Sequence, residues 1–196
     1  MEAAITDPMR TFVALNLPQE ERQQLHDSLA GFHDRGLPVR WGSVDSLHVT
    51  VKFLGEIEGA EISRIEDTLR RVTAVHSPLR LQIGGLGAFP SLRRATVLWV
   101  GVLPDPVLTG LQRDAELALS RLGYAREQKP FRPHITVGRT RNGSRPPDIE
   151  RLTALHTWTS TVEVESLDLM RSHTDSGRAR YEPLVKLRLG TDPAPW

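Results

Sequence analysis

Two short stretches carry residue types that could do chemistry together. They are His48-Val49-Thr50-Val51 and His134-Ile135-Thr136-Val137, 86 residues apart. In an extended chain, residues i and i+2 share a face. His48 then lies beside Thr50 and His134 beside Thr136, with the β-branched residues on the opposite face, suited to packing under helices. A core would have to satisfy each histidine and threonine separately; a cleft would use them. A neutral imidazole can take a proton from water, and an imidazolium can give one to a leaving oxygen. Both forms are accessible near neutral pH because histidine titrates at about 6.5. Two threonine hydroxyls can donate to the non-bridging oxygens of a phosphoryl group, where charge concentrates. The set therefore suits phosphodiester chemistry that needs no metal. A zinc site takes three or four protein ligands, and no third ligand recurs with the pair. Duplicated packing alone would repeat the apolar positions, not the His and Thr. The other histidines (His26, His33, His76, His156 and His173) have no such repeat and stay outside the site.

The same offset recurs elsewhere. Leu17-Pro18 returns as Leu103-Pro104, and Leu25 as Leu111. Matches in one register point to a duplicated unit of strand, helix and histidine-bearing strand. The expected fold class is α+β and bilobal: a pseudo-two-fold duplicated α/β unit with antiparallel sheets flanking a central cleft. Residues 1–196 are expected to form one domain of two intertwined lobes, with His48 and His134 facing each other across the cleft.

The elements that must position the histidines read as follows. Thr11 to Leu17 is an apolar strand ended by Pro18, and Gln19 to Gly31 a helix stopped by glycine. Leu47 to Leu54 is a strand stopped by Gly55, and Ile57 to Val75 an amphipathic helix. Leu79 to Ile83 is a strand followed by a turn over Gly84 to Gly87. Ala95 to Leu103 is a strand, Val107 to Leu122 a helix and His134 to Thr140 a strand. A break is expected over Asn142 to Pro147, then a short helix from Ile149 to Leu155. Ser160 to Met170 and Tyr181 to Leu189 read as strands around a polar loop, Ser172 to Arg180. The tail from Gly190 is expected to fray.

Composition narrows the class. The chain is 39% hydrophobic and 25% charged, with no cysteine, which fits a soluble globular protein and excludes a disulfide scaffold or a Cys nucleophile. No signal peptide and no membrane-length apolar run is visible, so a cytoplasmic location without membrane partners is expected. The net charge of +1 argues against bulk coating of nucleic acid. Between Arg126 and Arg145, however, six basic residues (Arg126, Lys129, Arg132, Arg139, Arg141, Arg145) meet only Glu127, leaving +5 around the second motif.

At these residues the sequence resembles the two-histidine (2H) phosphoesterase superfamily, defined by paired His-x-[Thr/Ser]-x motifs. Within it the chain looks like the bacterial and archaeal RNA 2′,3′-cyclic phosphodiesterases, historically called 2′-5′ RNA ligases. The likeness includes Arg10 to Ala14, His48 to Gly55, Gly87 to Pro90 with Arg94, Phe131 to Arg139, and Leu169, Arg171 and Tyr181 in the last strands. It runs from about Arg10 to Leu189. The resemblance implies a cleft between two lobes, no cofactor, and opening of a 2′,3′-cyclic phosphate to a 2′-phosphate. It makes His48 and His134 the acid–base pair and Thr50 and Thr136 the phosphate donors. His48 is assigned as acid toward O3′ and His134 as base toward water, although symmetry leaves the roles exchangeable.

Further substrate contacts are Phe53, Arg132, Arg139, Arg171 and Tyr181. Alternation puts Phe53, five after His48, on the opposite face, as a core residue unless a bulge turns it toward the cleft to stack on a base. Arg139, five after His134, has the same opposite parity; Arg132, two before it, shares its parity. Arg171 and Tyr181 flank the late loop and could close the cleft, while Phe12 and Arg10 read as structural, although the family resemblance keeps Arg10 as a candidate. The expected partner is RNA with a 2′,3′-cyclic phosphate or a related nucleotide, bound by a monomer without an obligate protein partner. Other readings are a reversible 2′-5′ RNA ligase, a small cyclic-nucleotide phosphodiesterase, and a non-catalytic RNA- or nucleotide-binding module.

Overall fold

The computed structural model describes residues 7–141, 149–175 and 178–190. The break expected over Asn142 to Pro147, Arg145 and the tail beyond Gly190 lie outside them. The strands are β1 (Met9–Asn16), β2 (Val39–Trp41), β3 (His48–Ile57), β4 (Leu79–Phe89), β5 (Val97–Val102), β6 (His134–Thr140), β7 (Thr159–Val164), β8 (Ser166–Asp175) and β9 (Arg178–Arg188). The helices are α1 (Gln19–Ser28), α2 (Ala30–His33), α3 (Ile62–Ala74), α4 (Pro106–Ser120) and α5 (Ile149–Leu155). No helix among the described residues is long and apolar enough to cross a membrane.

The helices form where capping and periodicity agree. Asp105 caps α4 by accepting from the Leu108 amide at 2.8 Å, with Pro106 at the first position. Leu108, Leu111, Ala115 and Leu119 then fall on one buried stripe. On α3 the same spacing buries Ile65, Leu69 and Val72.

The strands run in the order β7-β4-β5-β6-β3-β1-β8-β9, all pairs antiparallel, with β2 added on β6. Two four-stranded halves, β3-β1-β8-β9 and β6-β5-β4-β7, meet at one backbone pairing, Val49 with Ile135. After α3 the chain leaves the first half and enters the second as β4; after β7 it returns as β8. The core lies on the helix side of the sheet, where Val13, Leu15, Val49, Leu98, Val100, Ile135 and Leu169 pack against Leu25, Ile65, Leu69 and Leu111.

The repeat holds with one adjustment. Asn16 pairs with His48 and Gly101 with His134, so β1 and β5 correspond at an offset of 85 while β3 and β6 keep 86. Leu17 is buried, but Leu103 is 55% exposed; the buried counterpart of Leu17 is Val102. The shared Leu-Pro therefore marks the helix offset, not equivalent strand ends.

Several element boundaries differ from the sequence reading. Gly31 lies inside α2 rather than stopping a helix, and the break falls earlier, at Leu29. Gly55 does not end β3: it takes φ +83° within the strand, which glycine permits. Gly84 to Gly87 form no turn. The strand runs through them, with a register shift between Gly84 and Leu86, because missing side chains let neighbours approach. A Cβ on Gly84 would stand 2.7 Å from Thr159 Cγ2. Ser160 to Met170 is two strands, and the expected late loop is largely β8 pairing with β9. Three-residue β2 was not anticipated.

Candidate active site

The two histidine strands share a defect. Along β3, Lys52 pairs with Val13 and Thr50 with Ala14, leaving Val51 as an extra residue. Along β6, Gly138 pairs with Leu98 and Thr136 with Trp99, leaving Val137 extra. These bulges sit at equivalent places, each just after the threonine. A bulge reverses the alternation beyond it. Val51 and Lys52 are both buried, as are Val137 and Gly138. Phe53 and Arg139 thereby return to the face of His48 and His134.

Between the halves, Val49 opposite Ile135 sets the register. In an antiparallel pair this puts His48 level with Thr136 and Thr50 level with His134. Each histidine is thus matched by the threonine of the other motif.

The histidine environments differ. His134 Nδ1 lies 2.7 Å from the carbonyl oxygen of Arg132. A carbonyl only accepts, so Nδ1 carries the proton and Nε2 is left for chemistry. Both rings are half-buried, and Nδ1 of His48 is sealed from solvent. Burial pushes its pKa down to about 4, against a smaller opposing effect of the Ser46 carbonyl, and positive charge on His134 lowers it further. His48 is therefore neutral at pH 7 in the free protein.

Aromatic rings hold both imidazoles. Phe12 stacks on His48 with centroids 4.9 Å apart and planes at 30°, and Tyr181 meets His48 edge-on at 5.0 Å. Phe53, 56% exposed, stands 6.0 Å from Phe12. In the other half, Phe89 meets His134 edge-on at 4.9 Å and Trp99 lies at 6.3 Å. Asn16, level with His48, donates to Asp168 Oδ2 at 2.7 Å. A cavity of about 1410 Å³ opens alongside, lined by Asn16, Ser46, Asp168, Met170 and Tyr181 but not by the histidines.

The family model of the 2′-5′ RNA ligase superfamily matches residues 41–176, spanning both histidine motifs. The chain belongs to that superfamily. An Archaeoglobus fulgidus protein named RNA 2′,3′-cyclic phosphodiesterase is 31% identical over 82% of this chain and 88% of its own length. A Geobacillus stearothermophilus protein of the same name is 28% identical over 91% of this chain, which spans only 56% of that relative. Among solved structures, E. coli LigT complexed with 3′-AMP superposes with a TM-score of 0.73 at 28% identity, covering 93% of this chain and 99% of LigT.

Within this 2′-5′ RNA ligase superfamily fold, the expected contacts separate. Tyr181 and Phe53 stand on the histidine face. Arg139 does too, exposed and level with Arg40 of β2. Strand β6 begins at His134, so alternation does not reach Arg132; its carbonyl accepts from His134 Nδ1, and its side chain is exposed. Arg171 is corrected outright. It pairs with Thr11, on the helix-side parity of Val13 and Leu15, and it neighbours Glu182, which accepts from His173 on that face. It is not beside Tyr181 on the histidine face.

Phe12, Phe89, Trp99 and Asn16 were missed. Alternation across Thr11 to Asn16 already separates Phe12, Ala14 and Asn16 from Val13 and Leu15. Nothing local marks Trp99, whose indole rests over Gly87 across the β4–β5 pair. Among the described residues no group of three His, Asp or Glu could hold a metal ion.

Proposed function

We propose that this chain hydrolyses RNA 2′,3′-cyclic phosphate ends to 2′-phosphates with a histidine pair and no metal. The carrying observation is the cross-matched motif: His48 level with Thr136 and His134 level with Thr50, joined by Val49 and Ile135. The hydroxyls of Thr50 and Thr136 donate to the non-bridging oxygens. Water oxygen bonds to phosphorus as the P–O3′ bond breaks. One histidine accepts the water proton and the other protonates O3′.

The environments favour His48 as base, the reverse of the assignment made from sequence. Its enclosure keeps it neutral in the free protein, the form that accepts a proton. His134, with Nδ1–H held by the Arg132 carbonyl, is then the acid. Phe53 and Tyr181 offer base-stacking surfaces, and Arg139 a cation for a neighbouring phosphate.

The substrate class is supported by the relatives named RNA 2′,3′-cyclic phosphodiesterase and by the nucleotide in LigT. We infer that the chain acts on RNA as a monomer, in the cytoplasm, as one unit whose halves share a site. Ligation opens the same cyclic phosphate with a 5′-hydroxyl in place of water and is a side activity, since water outcompetes the 5′-hydroxyl.

The test is incubation with an oligoribonucleotide ending in a 2′,3′-cyclic phosphate, in EDTA, with the product compared with synthetic 2′- and 3′-phosphate standards. A 2′-phosphate product supports the reading. Loss of activity in EDTA would overturn the metal-free mechanism, and RNA binding without opening would make the chain a binding module.

A further inference from the structure

The bulge at Val51 has a second consequence. It turns Lys52, two residues after Thr50, into the core, where only 2% of it is exposed. Its ammonium meets Glu116 of α4 at 2.7 Å and donates to the carbonyl of Ala125 at 2.6 Å. Glu116, 5% exposed, also accepts from the amide of Glu127 at 2.9 Å and from Gln112 at 3.4 Å. A buried pair with its lone pairs and protons satisfied in this way is costly to break on one side. Its equivalent in the second half is absent, because Gly138 takes the place of Lys52. A Cβ there would already stand 2.7 Å from Val39 Cγ1, so β2 occupies that space instead.

The groups this pair holds belong to the segment between α4 and β6. Ala125 and Glu127 flank Arg126, and the same segment carries Lys129 and Arg132 before reaching His134. Its far end is held by the Val102 amide on the Pro133 carbonyl at 3.2 Å. The exposed basic residues between are fastened at both ends. Ordering a chain of exposed cations before binding removes part of the entropy cost of binding a polyanion.

We propose that Lys52 and Glu116 are a positioning pair that holds the 125–133 segment so that Arg126, Lys129 and Arg132 meet RNA phosphates beyond the reacting one. This rests on the reading of the substrate as RNA. The pair touches no substrate; it makes the protein favour an oligonucleotide over a cyclic mononucleotide.

The experiment uses the full chain and a Lys52→Met/Glu116→Leu double variant, which removes both charges and so avoids stranding either one in the core. Steady-state kinetics are run on a 2′,3′-cyclic mononucleotide and on a ten-nucleotide RNA with a cyclic phosphate end. Binding of the same RNA with a 3′-hydroxyl is titrated against salt, and amide exchange of 125–133 is followed. In the double variant we expect kcat on the mononucleotide within about twofold of the parent and KM for the RNA raised about tenfold. We also expect the salt slope to fall by about one or more and the Glu127 amide to exchange faster. Equal losses on both substrates, or unchanged RNA affinity and salt slope in a folded double variant, would overturn the proposal. The binding titration reads the pair even without turnover; a parent chain that binds RNA but opens no cyclic phosphate overturns only the phosphodiesterase reading.

Discussion

Val49 and Ile135, each inside a His-x-Thr motif, pair with one another across the junction of β3 and β6. That contact lies on the pseudo-two-fold relation between the halves. It brings two motifs 86 residues apart side by side, with each histidine level with the other motif's threonine. A histidine pair assembled this way behaves as a unit, and its members should fail together.

His48→Ala and His134→Ala are each expected to lower kcat on a cyclic phosphate by at least about 10²-fold. The double variant should be little worse than either single one, because acid and base serve the same step. Kinetics on variants whose circular dichroism matches the parent check this. Near-normal turnover in either single variant would refute the pairing.

The pH dependence follows from the enclosure of His48. With its pKa near 4 in the free protein, His48, the proposed base, is already deprotonated through the mildly acidic range. The rising limb of kcat/KM should therefore lie near pH 4, with the falling limb set by the acid. A profile of kcat/KM from pH 3.5 to 9 measures it. A rising limb at about 6.5, the ordinary histidine value, would return the base role to the other ring.

The same group links folding to pH. Between about pH 6.5 and pH 4, His48 is protonated in the unfolded chain and neutral in the folded one. Acidification through that window removes stability, with a slope of up to about 1.4 kcal/mol per pH unit for one proton. Burial lowers His33 and His156 as well, so part of the slope belongs to them. Urea unfolding at pH 7 and pH 4.5 should show a smaller acid loss in His48→Gln than in the parent. Equal losses would mean that His48 is not held neutral.

Gly87 marks a close approach in the second half. A Cβ there would lie 2.3 Å from two indole carbons of Trp99, the ring that stands beside Phe89 and His134. Gly87→Ala is expected to cost about 1–3 kcal/mol, to shift tryptophan fluorescence and to lower kcat. Gly110→Ala, in α4 with nothing nearer than His76 at 3.9 Å, should instead stabilise by up to about 1 kcal/mol. Thermal melts of both variants separate the cases; a Gly87→Ala protein as stable and active as the parent would show that the indole has room to move.

What the sequence determined by itself was the local chemistry and its duplication. His48 and Thr50, and His134 and Thr136, could be placed on common faces because alternation over three residues survives any tertiary context. Leu25 and Leu111 marked equivalent helices for the same local reason. Tertiary structure decided what lies beyond the threonines. The bulges at Val51 and Val137 come from the pairing of β3 with β1 and β6 with β5, and they reversed the parity on which Phe53 and Arg139 were read. Arg171 failed for a related reason: its nearness to Tyr181 was a matter of sequence around a presumed loop, whereas hairpin pairing assigned the two residues to opposite faces. The order of protonation was equally invisible locally. The two motifs are nearly identical in sequence, and the burial that lowers the pKa of His48 is set by its tertiary surroundings.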